Sequence, residues 1–221
     1  EKQLAFVYKG DIYVCNTNDK KAGRTVRITE TDSEEKSIRW TKDSKSIYFL
    51  SDQDNQFDVF RVDGANTSLP LFLNKRFKRF QVTKTDADES ALTISPDNHF
   101  ISFVRGRGDL YRLHLKSKKE QRILKGWNLS EHVWSPDSRY IAYSRYDSNF
   151  NSDVFIMPSG GGSSVNISQH PDYDMNIRWS LDGKKLVFSS FRYGTNFEAV
   201  SVYLTEKDAR KTSDDWEYEK E

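Results

Sequence analysis

Four segments of the chain carry one pattern, and that repeat limits the fold more than any other feature. They are residues 38–49 (IRWTKDSKSIYF), 92–103 (LTISPDNHFISF), 132–143 (HVWSPDSRYIAY) and 177–188 (IRWSLDGKKLVF). The shared aspartates, Asp43, Asp97, Asp137 and Asp182, stand 54, 40 and 45 residues apart. Periods near 40–45 residues belong to propeller blades, each a small four-stranded sheet that buries its faces against its neighbours. The longer first interval predicts an insertion, placed at about residues 63–79.

Each repeat reads as four strands. The first ends in Trp40, Ile94, Trp134 or Trp179, just before a turn of the Ser-Pro-Asp type. Proline presets φ for such a turn, and aspartate bonds its own backbone two residues on. The second strand, as in Ile141-Ala142-Tyr143, is apolar at consecutive positions, which suits a strand covered on both faces. The third begins with aspartate, at residues 58–62, 109–113 and 153–157. The fourth is short, at 26–29, 80–83, 122–124 and 165–168. Asp43, Asp97, Asp137 and Asp182, with Trp40, Trp134 and Trp179, are therefore read as structural repeat residues.

The ends are incomplete. Residues 4–8, 11–15 and 26–29 read as strands two to four of a blade without its first strand, and the last repeat has no fourth. The expected fold is all-β: a β-propeller of four-stranded blades over residues 1–204, about five blades with the first and last incomplete. Residues 205–221 lack strand alternation and read as a charged helical or linker exit segment, with Thr205 and Asp208 spaced for a helix start. The chain opens on Glu1, without a signal-peptide pattern, so a longer parent polypeptide with at least one further upstream blade is expected.

Composition narrows the function. Lys and Arg number 34 against 33 Asp and Glu, so no global field favours nucleic acid or an anionic membrane. No apolar run is long enough for a membrane-spanning helix. Aromatics make up 14% of the residues and supply much of the expected core. The single Cys15 excludes an internal disulfide and reads as a small buried hydrophobe.

No catalytic constellation, metal set or cofactor motif stands out. His99, His114, His132 and His170 have no zinc spacing and read as surface or turn residues. Residues 159–164 (SGGGSS) form a hairpin turn rather than a phosphate loop, because no helix follows. Residues 52–58 lack the central glycine and distal glutamate of a calcium loop. The basic residues Lys75, Arg76, Lys78 and Arg79 fall in the expected insertion, as a solvated loop or a docking surface. One pattern has two readings. Glu35, Glu89 and Asp174 each stand eight residues before the turn aspartate, where the third repeat has Leu129. They either bond turn amides or form an acidic rim at the mouth of the central channel that steers peptides.

The Ser-Pro-Asp-(Ser/Gly)-Lys/Arg-x-Ile-Ala-Tyr/Phe pattern, best shown by residues 135–143, resembles the TolB-type propeller repeat; Thr41-Lys42 and Leu181 depart from it. Residues 166–171 (NISQHP) and the exit segment are similar to bacterial tricorn-like serine peptidases. In those proteins a propeller precedes a PDZ-like domain and a tail-specific-type peptidase domain. The resemblance implies a non-catalytic propeller of such a peptidase, with the catalytic residues beyond Glu221. It would gate or guide peptides and contact other domains of the same polypeptide, in a periplasmic or secreted bacterial protein. A cytoplasmic location and an oligomeric state stay open. The alternative is a stand-alone TolB-like scaffold of the cell envelope, and a third option is the propeller of a prolyl-oligopeptidase-type enzyme.

Overall fold

A computed structural model describes residues 3–18, 23–194 and 196–211. The chain divides into two compact units, Glu1–Gly126 and Trp127–Glu221. The first unit holds three antiparallel sheets, each in chain order. They comprise β1 (Gln3–Tyr8), β2 (Asp11–Asn16) and β3 (Thr25–Arg27); β4 (Glu35–Trp40), β5 (Ser46–Ser51), β6 (Asp58–Gly64) and β7 (Phe77–Gln81); and β8 (Glu89–Ile94), β9 (Phe100–Arg105), β10 (Asp109–His114) and β11 (Glu120–Leu124). The second unit holds β12 (Leu129–Trp134), β13 (Tyr140–Tyr146), β14 (Ser152–Pro158) and β15 (Val165–Asn166), then β16 (Asp174–Trp179), β17 (Lys185–Ser190) and β18 (Glu198–Tyr203). As the repeats predict, among the described residues the first sheet lacks a first strand and the last lacks a fourth.

The second strands carry the cores. Successive side chains on a strand point to opposite faces. Ile47 and Phe49 of β5 join a cluster with Ile12 and Val14 of the preceding sheet. Tyr48 and Leu50 of the same strand join Leu92, Ile101 and Phe103 of the following one. One strand thus cements two sheet interfaces, which explains its lack of polar alternation. In the second unit, Ala142 and Val154 pack against Ile177, Leu186 and Phe188. Full burial of each Val, Leu, Ile or Phe among them contributes about 1.5–3 kcal/mol.

The repeated turn is one hydrogen-bond circuit used four times. In the third repeat the Ser135 hydroxyl donates to Asp137 Oδ1 at 2.6 Å and accepts the Tyr140 N–H at 2.9 Å. The same Asp137 oxygen accepts the Arg139 N–H at 3.1 Å. Asp43 with Thr41, Asp97 with Ser95 and Asp182 with Ser180 make the same bonds. The residue after each aspartate is left-handed: Ser44 at φ 56°, Asn98 at 62°, Ser138 at 62° and Gly183 at 71°. Trp134 is buried, Trp40 packs against the first core cluster, and Trp179 Nε1 donates to the Val133 carbonyl at 3.3 Å.

Several details differ from expectation. The fourth strand after the insertion is Phe77–Gln81, not 80–83, and β6 runs on to Gly64. The insertion is therefore shorter, and Lys78 and Arg79 lie on a strand rather than in a loop. A one-turn 3-10 helix at Leu71–Leu73 drives the buried Leu71 into the first core cluster, which gives the insertion its own anchor. His132 is buried at 3% exposure rather than at the surface, and Cys15 is only half-buried. The Thr205 hydroxyl caps the short α1 (Glu206–Ala209) by accepting the Asp208 N–H at 3.1 Å. Residues 212–221 of the expected exit segment lie outside the described residues.

Candidate functional site

The acids Glu35, Glu89 and Asp174 open β4, β8 and β16. Each is followed two residues on by a left-handed residue, Ser37, Ala91 or Asn176, where the strand pairing shifts register. Such bulges bend a strand and re-aim its side chains. Here the acids turn inward. Glu35 and Glu89 are 1% exposed and Asp174 is 0% exposed. Burial leaves all three with almost no surface open to solvent.

Glu89 ties its own sheet to the preceding one. The Glu89 N–H donates to the Phe57 carbonyl at 2.7 Å, reaching back to the preceding sheet. Glu89 Oε2 accepts the Thr83 hydroxyl at 2.5 Å and the Val59 N–H at 3.2 Å. Glu89 Oε1 takes Arg105 Nη2 at 2.7 Å and Nε at 3.0 Å. Glu35 accepts the Thr31 hydroxyl at 3.1 Å and lies 3.5 Å from Arg79. Asp174 lies 3.3 Å from Arg192, which also donates to the Ser168 carbonyl at 3.3 Å. The three cations come from different places: the fourth strand β7, the second strand β9 and the loop after β17.

Burial pushes the carboxyl pKa of Glu89 up, against the opposing pull of Thr83 and Arg105. It raises Glu35 as well, against Thr29, Arg79 and Thr31. Burial also works against the charge on Arg105, but hydrogen bonds to Glu120 and Glu89 reverse this and hold it fully protonated.

Sequence reading missed the hydroxyls. Thr29, Thr83 and Ser168 stand six residues before Glu35, Glu89 and Asp174, and each accepts a buried backbone N–H, from Ile12, Val59 and Val154. In the remaining repeat the corresponding pair is Ile123 and Leu129, both apolar. The joint change from hydroxyl and acid to two hydrocarbons was the available signal.

Two clefts mark the second unit. One, of about 590 Å³, runs between the turns at Asp137 and Asp182, with Ile156, Ile167, Trp179 and Leu204 on its walls. The other, of about 370 Å³, lies beside Trp127, Arg145 and Phe155 at the opposite strand ends. The remaining polar candidates serve local structure. Asp52 accepts the Glu34 N–H at 2.7 Å, and Asp58 the Thr85 N–H at 3.3 Å. His114 Nδ1 accepts the Ser117 N–H at 3.0 Å, and His170 lies 3.7 Å from Asp172. No helix among the described residues is long and apolar enough to cross a membrane.

No protein-family model and no curated protein matches the chain. Solved structures do. TolB from Acinetobacter baumannii is 17% identical, with a TM-score of 0.69 over 92% of this chain and 50% of that one. The tricorn protease is 15% identical, with a TM-score of 0.69 over 93% of this chain and 21% of that one. At these identities the likeness establishes the fold: a TolB-type β-propeller similar to that of the tricorn protease. The chain spans about half of the TolB structure and about a fifth of the tricorn protease.

Proposed function

We propose that this chain is the non-catalytic propeller domain of a multidomain tricorn-like serine peptidase, gating or guiding peptides and making protein–protein contacts. One observation carries the reading: 93% of the chain has the fold of a segment that makes up only 21% of the tricorn protease. A protein contact is also suggested by one face of β1, where Leu4, Phe6 and Tyr8 alternate along the strand and are exposed. Contiguous exposed apolar surface of this kind marks contact with other protein. The peptidase chemistry would lie in sequence outside these 221 residues.

A second reading is a TolB-like binding scaffold of the cell envelope, favoured by an equal TM-score of 0.69 to TolB. Peptide mapping and intact mass of the protein from its source separate the two. A much larger chain that cleaves casein, with the activity in a segment downstream of residue 221, supports the first. A chain of roughly propeller size that captures envelope proteins without cleaving them supports the second.

A further inference from the structure

Where the third repeat replaces its acid with Leu129, it leaves a cation behind. Arg145 faces Leu129 in strand register, just as Arg105 faces Glu89. Arg105 engages Glu89 and Glu120. Arg145 has no carboxylate at ion-pair distance among the described residues, and its guanidinium carbon sits 4.7 Å from the centre of the Phe155 ring. Stacking on an aromatic face orients the guanidinium plane and leaves its N–H edge available, the form that suits two-pronged bonding to a carboxylate.

Arg145 lines the 370 Å³ cleft together with Trp127, Tyr146 and Phe155. Trp127 is 56% exposed, an aromatic surface placed beside a cation. Asp147 and Asp153 also border the cleft, but both are engaged. Asp147 accepts the N–H groups of Asn149 at 2.8 Å and Asn151 at 2.9 Å, and Asn151 Nδ2 at 3.3 Å. Asp153 accepts Asn166 Nδ2 at 2.9 Å, the Ser168 hydroxyl at 2.9 Å and the His170 N–H at 3.3 Å.

We propose that this cleft binds a peptide through a carboxylate next to an aromatic or aliphatic side chain. Arg145 takes the carboxylate, and Trp127, Tyr146 and Phe155 cover the apolar group. The carboxylate is an acidic side chain or a chain terminus. This inference rests on the reading of the domain as peptide- or protein-binding.

Calorimetric titration of the intact protein with three peptides tests it: acetyl-Phe-Glu-Phe-amide, acetyl-Phe-Gln-Phe-amide and acetyl-Phe-Gln-Phe with a free carboxyl end. At least one acidic peptide should bind roughly tenfold or more tighter than the neutral amide, the scale of a charge-assisted hydrogen bond. Whichever acidic peptide wins identifies the source of the carboxylate. Arg145→Gln should erase the preference and Arg145→Lys should keep part of it. Leu129→Glu should erase it while Arg145 remains, because it supplies the partner Arg105 already has. Equal affinity for all three peptides overturns the inference but leaves peptide binding standing. Absence of binding by any of them, or a preference that survives Arg145→Gln, overturns it too. Circular dichroism on each variant separates loss of the site from loss of the fold.

Discussion

The Thr83 hydroxyl donates to Glu89 across 2.5 Å while accepting the Val59 N–H at 2.8 Å, so one side chain ties the start of β8 to the preceding sheet. Glu89 is simultaneously held by Arg105. Removing one member of a buried ion pair strands the other charge and typically costs about 3–5 kcal/mol. Glu89→Leu should therefore lower the urea midpoint strongly. The pair Thr83→Ile with Glu89→Leu copies the Ile123 and Leu129 combination of the third repeat. It should cost less than the sum of the two single changes, since no hydroxyl is left facing hydrocarbon. A double-mutant cycle reads this directly, and strict additivity would contradict the coupling.

The same burial predicts a pH dependence. The carboxyl pKa values of Glu35 and Glu89 rise on folding, so the native state binds more protons than the unfolded chain between the two values. Stability then falls as pH rises through that window, and their contribution is whole only below the ordinary glutamate value of 4.5. Asp137 and Asp182 act with the opposite sign. Their serine hydrogen bonds lower the folded pKa, so their small, exposed contribution is lost as pH falls. Urea midpoints taken between about pH 4 and 8 should decline less steeply toward neutral pH in Glu89→Gln than in the parent. Parallel curves would remove Glu89 as the cause.

The turns and the sheet order were legible because their causes are local. An aspartate two residues after a serine or threonine closes its own hydrogen-bond circuit, as at Ser135 and Asp137, whatever packs nearby. The inward turn of Glu35 and Glu89 was legible only as one of two readings. It depends on a bulge at Ser37 and Ala91, residues with no glycine signature, and on cations drawn from two unrelated positions, Arg79 and Arg105. The strand β7 was displaced for a similar reason: the Leu71 anchor, not the local pattern, fixes where the chain re-enters the sheet.

The left-handed turn residues give a graded test. Gly183 occupies φ 71°, where a side chain on an L-residue costs about 1–2 kcal/mol, so Gly183→Ala should destabilise by that order. An added Cβ there would meet Pro136 only at 3.7 Å, an ordinary contact, so the loss would report backbone strain rather than a clash. Ser44 sits at φ 56° in the equivalent turn, and Ser44→Gly should gain stability. Thermal midpoints moving in the same direction for both variants would exclude this account.

The insertion between β6 and β7 should behave as part of the core rather than as a tolerant loop. Leu71 is fully buried against the first core cluster, whereas Leu69, two residues earlier, is 37% exposed. Asn74 fastens the segment, its Nδ2 donating to the Pro70 carbonyl at 3.0 Å and its Oδ1 accepting the Asn66 N–H at 2.8 Å. Gly64 allows this approach, because a Cβ there would fall 2.4 Å from Asn74 Nδ2. Leu71→Ala should cost about 2–5 kcal/mol, the range for emptying a fully buried leucine site. Leu69→Ala should cost less, since more than a third of that residue already faces water. Chemical denaturation of the two variants side by side checks the ratio. Equal, small losses would mean that the 3-10 turn rides on the sheet without supporting it.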